Sequence, residues 1–133
     1  MAVISQAVQS KTPYVSVCSG SSPCSRFLWH AEVVSSQALL SRGLSGRKGL
    51  PPQQAMLFDF TDEDKHCIWM KDMRFAIDVV WLASNNRVVA VKELLTPASY
   101  PKQFCGQRAR YVLELPAGDV MRNHVSIGST LSF

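Results

Sequence analysis

The stretch Phe75-Ala-Ile-Asp-Val-Val-Trp-Leu82 constrains this chain more than any other. It is nearly continuous in apolar residues, so a strand built from it must be covered on both faces. Asn85-Asn86 follows, and Asn tolerates the positive φ of a tight turn. Arg87 through Leu95 then returns as an antiparallel partner, with Val89 and Val91 on one face. A strand hidden on both sides needs much apolar chain around it. The 133 residues are 47% hydrophobic and 18% charged, an ordinary globular balance rather than a disordered one, and the length suits one domain.

Shorter strand signals surround this hairpin. Tyr14-Val15-Ser16-Val17 alternates, and Phe27 through Val33 reads as its partner across a Ser-Gly-Ser-Ser-Pro loop. Trp29, Ala31 and Val33 share one parity, whereas His30 and Glu32 take the wet one. Ser35 or Ser36 offers an N-cap to a short helix through Arg42. Gly43 and Gly46 end that helix, and Leu50-Pro51-Pro52 prevents its resumption. Met56 through Phe60 and His66 through Met70 read as strands separated by an acidic loop, Thr61 to Asp64. Pro97 to Arg108 reads as the longest irregular stretch, a place where function often resides. Tyr111 through Leu115 is a strand stopped by Pro116. Asp119 to His124 suits one helical turn, and Ser129 to Phe133 an edge strand.

The expectation is an α+β, β-dominated fold: a curled, mostly antiparallel sheet or partial barrel of seven to eight short strands, with one short helix after the second strand. Residues 1–12 lack aromatics and period and read as a flexible tail. Residues 13–133 form the globular domain.

From Arg42 onward the residues fall into a familiar order. Arg42-Gly43-Leu44 precedes Gly46-Arg47, then Met56-Leu57-Phe58, Trp69-Met70-Lys71 and Ile77-Asp78-Val79-Val80. Tyr111-Val112-Leu113-Glu114-Leu115 comes before Ala117-Gly118. This order closely resembles the domain-of-unknown-function family numbered 192, a group of small prokaryotic proteins, over about residues 27–133. The family usually has methionine at the place of Ser45 and glycine at that of Ala55. The resemblance implies a compact β-rich fold and no established activity.

Chemistry-bearing residues are few. Asp78 lies inside the most apolar strand, where an ionised carboxylate needs partners. A guanidinium is expected to supply them, Arg42 first and Arg47 next, with capping of backbone N–H groups as the other structural solution. As a catalytic acid or base, Asp78 would work with Lys71 or Arg42. Trp69 and Lys71 share a strand face and suit a groove for a ligand or peptide. Phe104 and Arg108 extend that binding surface from the irregular stretch. No HxH, HExxH or CxxC spacing occurs, so no metal and no cofactor is expected. Cys105 is a weak candidate nucleophile, since an isolated loop cysteine is usually inert.

The leading functional reading is a non-enzymatic binding or accessory module for an unknown protein or small-molecule partner. The first alternative is a hydrolase-like enzyme around Asp78 and Lys71. The second is a weak nucleic-acid binder, which rests only on a formal net charge of +4 spread over scattered Lys and Arg. No run reaches the roughly 18 apolar residues of a membrane helix. A cytoplasmic location is expected if Met1 is the native start, and a secreted or periplasmic one if a leader was removed. Cys18 and Cys24 should face each other across the first hairpin, as free thiols in a reducing cytosol.

Overall fold

The computed structural model describes residues 13–133; the expected tail, residues 1–12, lies outside the described residues. Among the described residues seven strands form one curled sheet: β1 (Tyr14–Ser19), β2 (Arg26–Val34), β3 (Gln54–Trp69), β4 (Ile77–Leu82), β5 (Val88–Leu95), β6 (Gln103–Pro116) and β7 (Leu131–Ser132). Their spatial order is β5-β4-β6-β3-β2-β1-β7. Every pairing is antiparallel except β2 with β3. That parallel pair is joined through α1 (Gln37–Arg42), the expected helix after the second strand. The single turn expected near residue 119 is α2 (Asp119–Arg122). At one end the two edges of the sheet meet, through an Arg87–Thr130 bridge and a 2.8 Å bond from Val88 N–H to Ser129 O. The expected partial barrel is therefore present.

All six residues of β4 are buried, as their apolar run requires. Val80 and Leu82 join one core with Trp29, Leu57, Leu113 and Leu115. Val79 and Trp81 join a second with Met56, Phe58, Met70 and Val112. The strand alternates between these cores because successive side chains point to opposite faces.

Two segments differ from the sequence expectation. The acidic stretch Thr61 to Asp64 is not a loop but part of β3, where the register with β6 slips between Asp59 and Asp64. Such a slip lets a strand bend without ending. The second half of the supposed irregular stretch, Gln103 to Arg108, is strand. Gly106 misleads there by looking like a turn residue. It is a glycine because the Trp81 ring lies over it: a Cβ at Gly106 would come within 2.6 Å of the indole. Trp81 is fully buried, and its Nε1–H donates to His66 O at 2.7 Å.

Asp78 is also fully buried, but its partner is not an arginine. Its carboxyl oxygens accept from the backbone N–H groups of Leu94 (2.9 Å), Gly118 (3.1 Å) and Val120 (2.9 Å). The expected pairing with Arg42 or Arg47 fails for a geometric reason. Asp78 lies opposite Leu115 on β6 and shares the face of Val80, beneath the start of α2. Arg47 instead binds Glu32 at 3.0 Å. Asp78 thus ties β5 and the loop before α2 to the central sheet.

Two substitutions test these contacts. Asp78→Ala leaves three inward N–H groups without an acceptor and should lower stability by about 3 kcal/mol in urea unfolding. A double-mutant cycle of Asp78 with Arg42 should be additive within about 0.5 kcal/mol. Gly106→Ala should lower stability by about 2 kcal/mol through overpacking against Trp81, with loss of the near-ultraviolet tryptophan signal.

Candidate functional site

The chain leaves α1 through Gly43, whose φ of 51° is open to glycine at little strain. Gly43 N–H closes the helix by donating to Leu39 O at 2.9 Å. A Cβ here would press to 3.2 Å from the Phe58 ring, so glycine also lets this turn approach β3 closely. Leu44 then inserts into the second core. The segment is tied to the turn after β3 by two bonds: Ser45 Oγ donates to Lys71 O at 2.9 Å, and Gly46 N–H donates to Asp72 O at 2.9 Å.

These ties frame an open cup of about 490 Å³ against the outer face of β3 and β6. Such a size holds a small ligand. Leu40, Phe58, Phe60, Ile68, Trp69 and Met73 supply apolar walls; Arg42, Lys71 and Asp72 supply charge. The Lys71 ammonium sits 5.7 Å from the centre of the Trp69 ring, a cation–π distance. Tyr100 also packs on Trp69, with ring centres 5.2 Å apart and the rings tilted by 59°.

Glu114 of β6 forms the floor. It lies opposite Met56 on β3 and Val79 on β4, both buried apolar residues. The glutamate is 7% exposed, and among the described residues no hydrogen bond or ion pair reaches its carboxyl group. Burial pushes that group up to about 8 from an ordinary 4.5, because little solvent reaches it and no charge compensates. At neutral pH it is chiefly the uncharged acid, with one O–H to donate and oxygens that accept. Strongly perturbed acids in clefts mark functional sites more often than chance.

The sequence candidates separate in space. Arg42, Trp69 and Lys71 all line the cup. Phe104 does not; it is a buried member of the second core, with the Lys102 ammonium 5.1 Å above its ring. Arg108 lies outside the cup and pairs with Asp64 at 3.5 Å. Asp78 has no exposure and does not meet Lys71. Glu114 itself was not among the candidates. Its signal was a lone acid between Leu113 and Leu115, the same kind of signal that singled out Asp78.

The cysteines correct a further expectation. Cys18 and Cys24 are bonded to each other rather than free, with Cα atoms 5.3 Å apart across the first hairpin loop. Cys105 is bonded to Cys67, directly across β6 and β3, so it is no free nucleophile. The thiol expectation rested on an assumed reducing compartment, not on geometry. Cys67 stands at the edge of the cup. Among the described residues no cluster of His, Cys, Asp and Glu suited to a metal occurs.

The model of the domain-of-unknown-function family 192, described as an uncharacterized ACR, matches residues 20–133. The chain belongs to this family. The family member is also similar to a Sinorhizobium meliloti 1021 protein whose suggested role is transcription regulation: TM-score 0.83, 27% identity, covering 92% of this chain and 95% of that one. A Novosphingobium aromaticivorans DSM 12444 protein of unknown function has the same fold, with TM-score 0.82 and 19% identity, over 96% of this chain and 90% of that one. No curated protein matches.

The raised Glu114 predicts a definite pH dependence. The folded state holds this proton up to about pH 8, whereas the unfolded chain releases it near 4.5. The contribution is therefore full below pH 4.5 and is lost as pH rises toward 8, at about 1 kcal/mol per pH unit. Above pH 8 it is level. Glu114→Gln should abolish this difference, and at pH 8 should be the more stable protein by about 2 kcal/mol or more. Paired urea titrations from pH 4 to 9 measure it.

Proposed function

We propose that this family member is a binding module whose ligand occupies the cup between α1, the turn after β3 and the face of β3 and β6. The observation that carries this reading is Glu114. A carboxyl group that is buried, without a partner among the described residues and lining the cup weakens the fold. A ligand that completes its hydrogen bonding would recover that loss. The apolar walls and the convergence of a few polar groups support the same reading.

The hydrolase-like alternative centred on Asp78 and Lys71 has less support, since Asp78 is sealed and its oxygens are occupied by backbone donors. The nucleic-acid alternative draws on the suggested regulatory role of the Sinorhizobium meliloti protein. Against it, Arg47, Arg108, Arg110 and Arg122 each have a carboxylate neighbour, which reduces the field offered to phosphates. The two disulfides favour a secreted or periplasmic setting over the cytoplasm, because such bonds persist under oxidising conditions. No helix among the described residues is long and apolar enough to cross a membrane.

A fragment screen by amide and indole chemical-shift perturbation tests the binding reading. Responses should concentrate on Gly43, Ser45, Lys71 and the Trp69 indole N–H, and fade in a Phe58→Ala variant that remains folded. Responses confined to other faces of the sheet would count against the cup.

A further inference from the structure

Resting on the cup as a ligand site, we propose that its ligand is a small organic carboxylic acid. It binds as the carboxylate, accepts a hydrogen bond from Glu114, and has its charge balanced by Arg42 and Lys71, which line the same cup.

Charge in the cup argues first. Two cations, Arg42 and Lys71, line it against one carboxylate at the mouth, Asp72. Among the described residues neither cation has an acid within ion-pair distance, as is also true of Arg26, Arg74 and Arg87, so both keep their charge for the cup. With Glu114 protonated, the cup carries one net positive charge. A monoanion matches that charge, whereas a phosphate dianion exceeds it and a cation is repelled.

The floor argues second. The groups facing Glu114 from β3 and β4 are Met56 and Val79, which carry no charge. The remaining charged groups of the cup are Arg42 on α1 and Lys71 and Asp72 in the turn after β3. With no acceptor among the described residues, the Glu114 O–H is available to a ligand oxygen. An O–H donated to a carboxylate is among the stronger hydrogen bonds, because one partner is charged. An incoming carboxylate also opposes ionisation of Glu114, so each group keeps the other in the required form. The ligand body then lies among Leu40, Phe58, Phe60, Ile68 and Trp69, which favours a flat or branched hydrocarbon.

Titrations of the full chain with benzoate, benzyl alcohol and benzylamine test the assignment, with heat or Trp69 fluorescence as readout. Benzoate should bind about tenfold more tightly than benzyl alcohol at pH 6. Its affinity should fall about tenfold by pH 9, as Glu114 loses its proton. Arg42→Gln with Lys71→Gln should weaken benzoate and leave benzyl alcohol unchanged. Glu114→Gln, which keeps a donor without a titrating proton, should bind benzoate equally at both pH values. Benzyl alcohol binding as tightly as benzoate overturns the acid assignment but leaves the cup a ligand site. So does a preference for benzylammonium that grows above pH 8. Failure of all three probes to bind overturns the assignment and the cup together.

Discussion

The antiparallel pairing of β3 with β6 is the constraint on which the rest of the molecule depends. These are the longest strands, 16 and 14 residues, and they occupy the middle of the sheet. One part of the ladder sets Met56 opposite Glu114 and so places the floor of the cup. A later part sets Cys67 opposite Cys105 and Trp69 opposite Gln103, and so places its edge. Floor and edge belong to the same two strands, so their separation is fixed by register. A slip of one residue would carry Glu114 into the inner core and turn Leu113 or Leu115 outward. The apolar faces on both sides make that slip prohibitive. The helix and its exit turn only complete a wall against a surface the ladder has already set.

Asp78 and Glu114 show how finely that register divides chemistry. They sit on neighbouring strands, with Asp78 across from Leu115 and Val79 across from Glu114. The offset of one residue sends the two acids to opposite faces. Asp78 meets three backbone N–H groups and serves as a tie between elements. Glu114 meets none among the described residues and keeps its proton to about pH 8. The first acid removes the desolvation penalty of three donors as well as its own. The second carries its penalty unrelieved, the kind of local inconsistency that natural proteins retain mainly at functional sites.

Much of the architecture was legible because it rests on short-range pattern. The run from Phe75 to Leu82 demanded cover on two faces and has it. Alternation in Tyr14–Val17 and Phe27–Val33 gave the first hairpin, and Ser36, Gly43 and the prolines bounded α1. What was illegible depended on contacts between distant residues. Gly106 reads as a loop glycine until the Trp81 ring is seen above it. Cys67 and Cys105, separated by 38 residues, need the β3–β6 register before they can be paired. Arg42, Trp69 and Lys71 were found from their residue types, yet the cup that unites them was not. Glu114 was overlooked although it is a lone acid among apolar strand residues, because its burial depends on segments distant in sequence. Cover from α1 and its exit turn makes that face the floor of a cup.

That cover also distinguishes the cup from a packing fault. A fault would be expected to relax, since the exit turn and a long glutamate side chain have room to adjust. Here the surroundings are over-determined. Leu44 is locked in the core, Ser45 and Gly46 are bonded to the turn after β3, Gly43 sits against Phe58, and the Cys67–Cys105 bond crosses the two strands beside the opening. Each tie holds the cup open around a carboxyl group that would gain from closure or from exposure. Rigid support of this kind lowers the ordering a ligand must impose on binding. The same ties that keep Glu114 from a partner among the described residues therefore prepare the site for a partner from outside the chain.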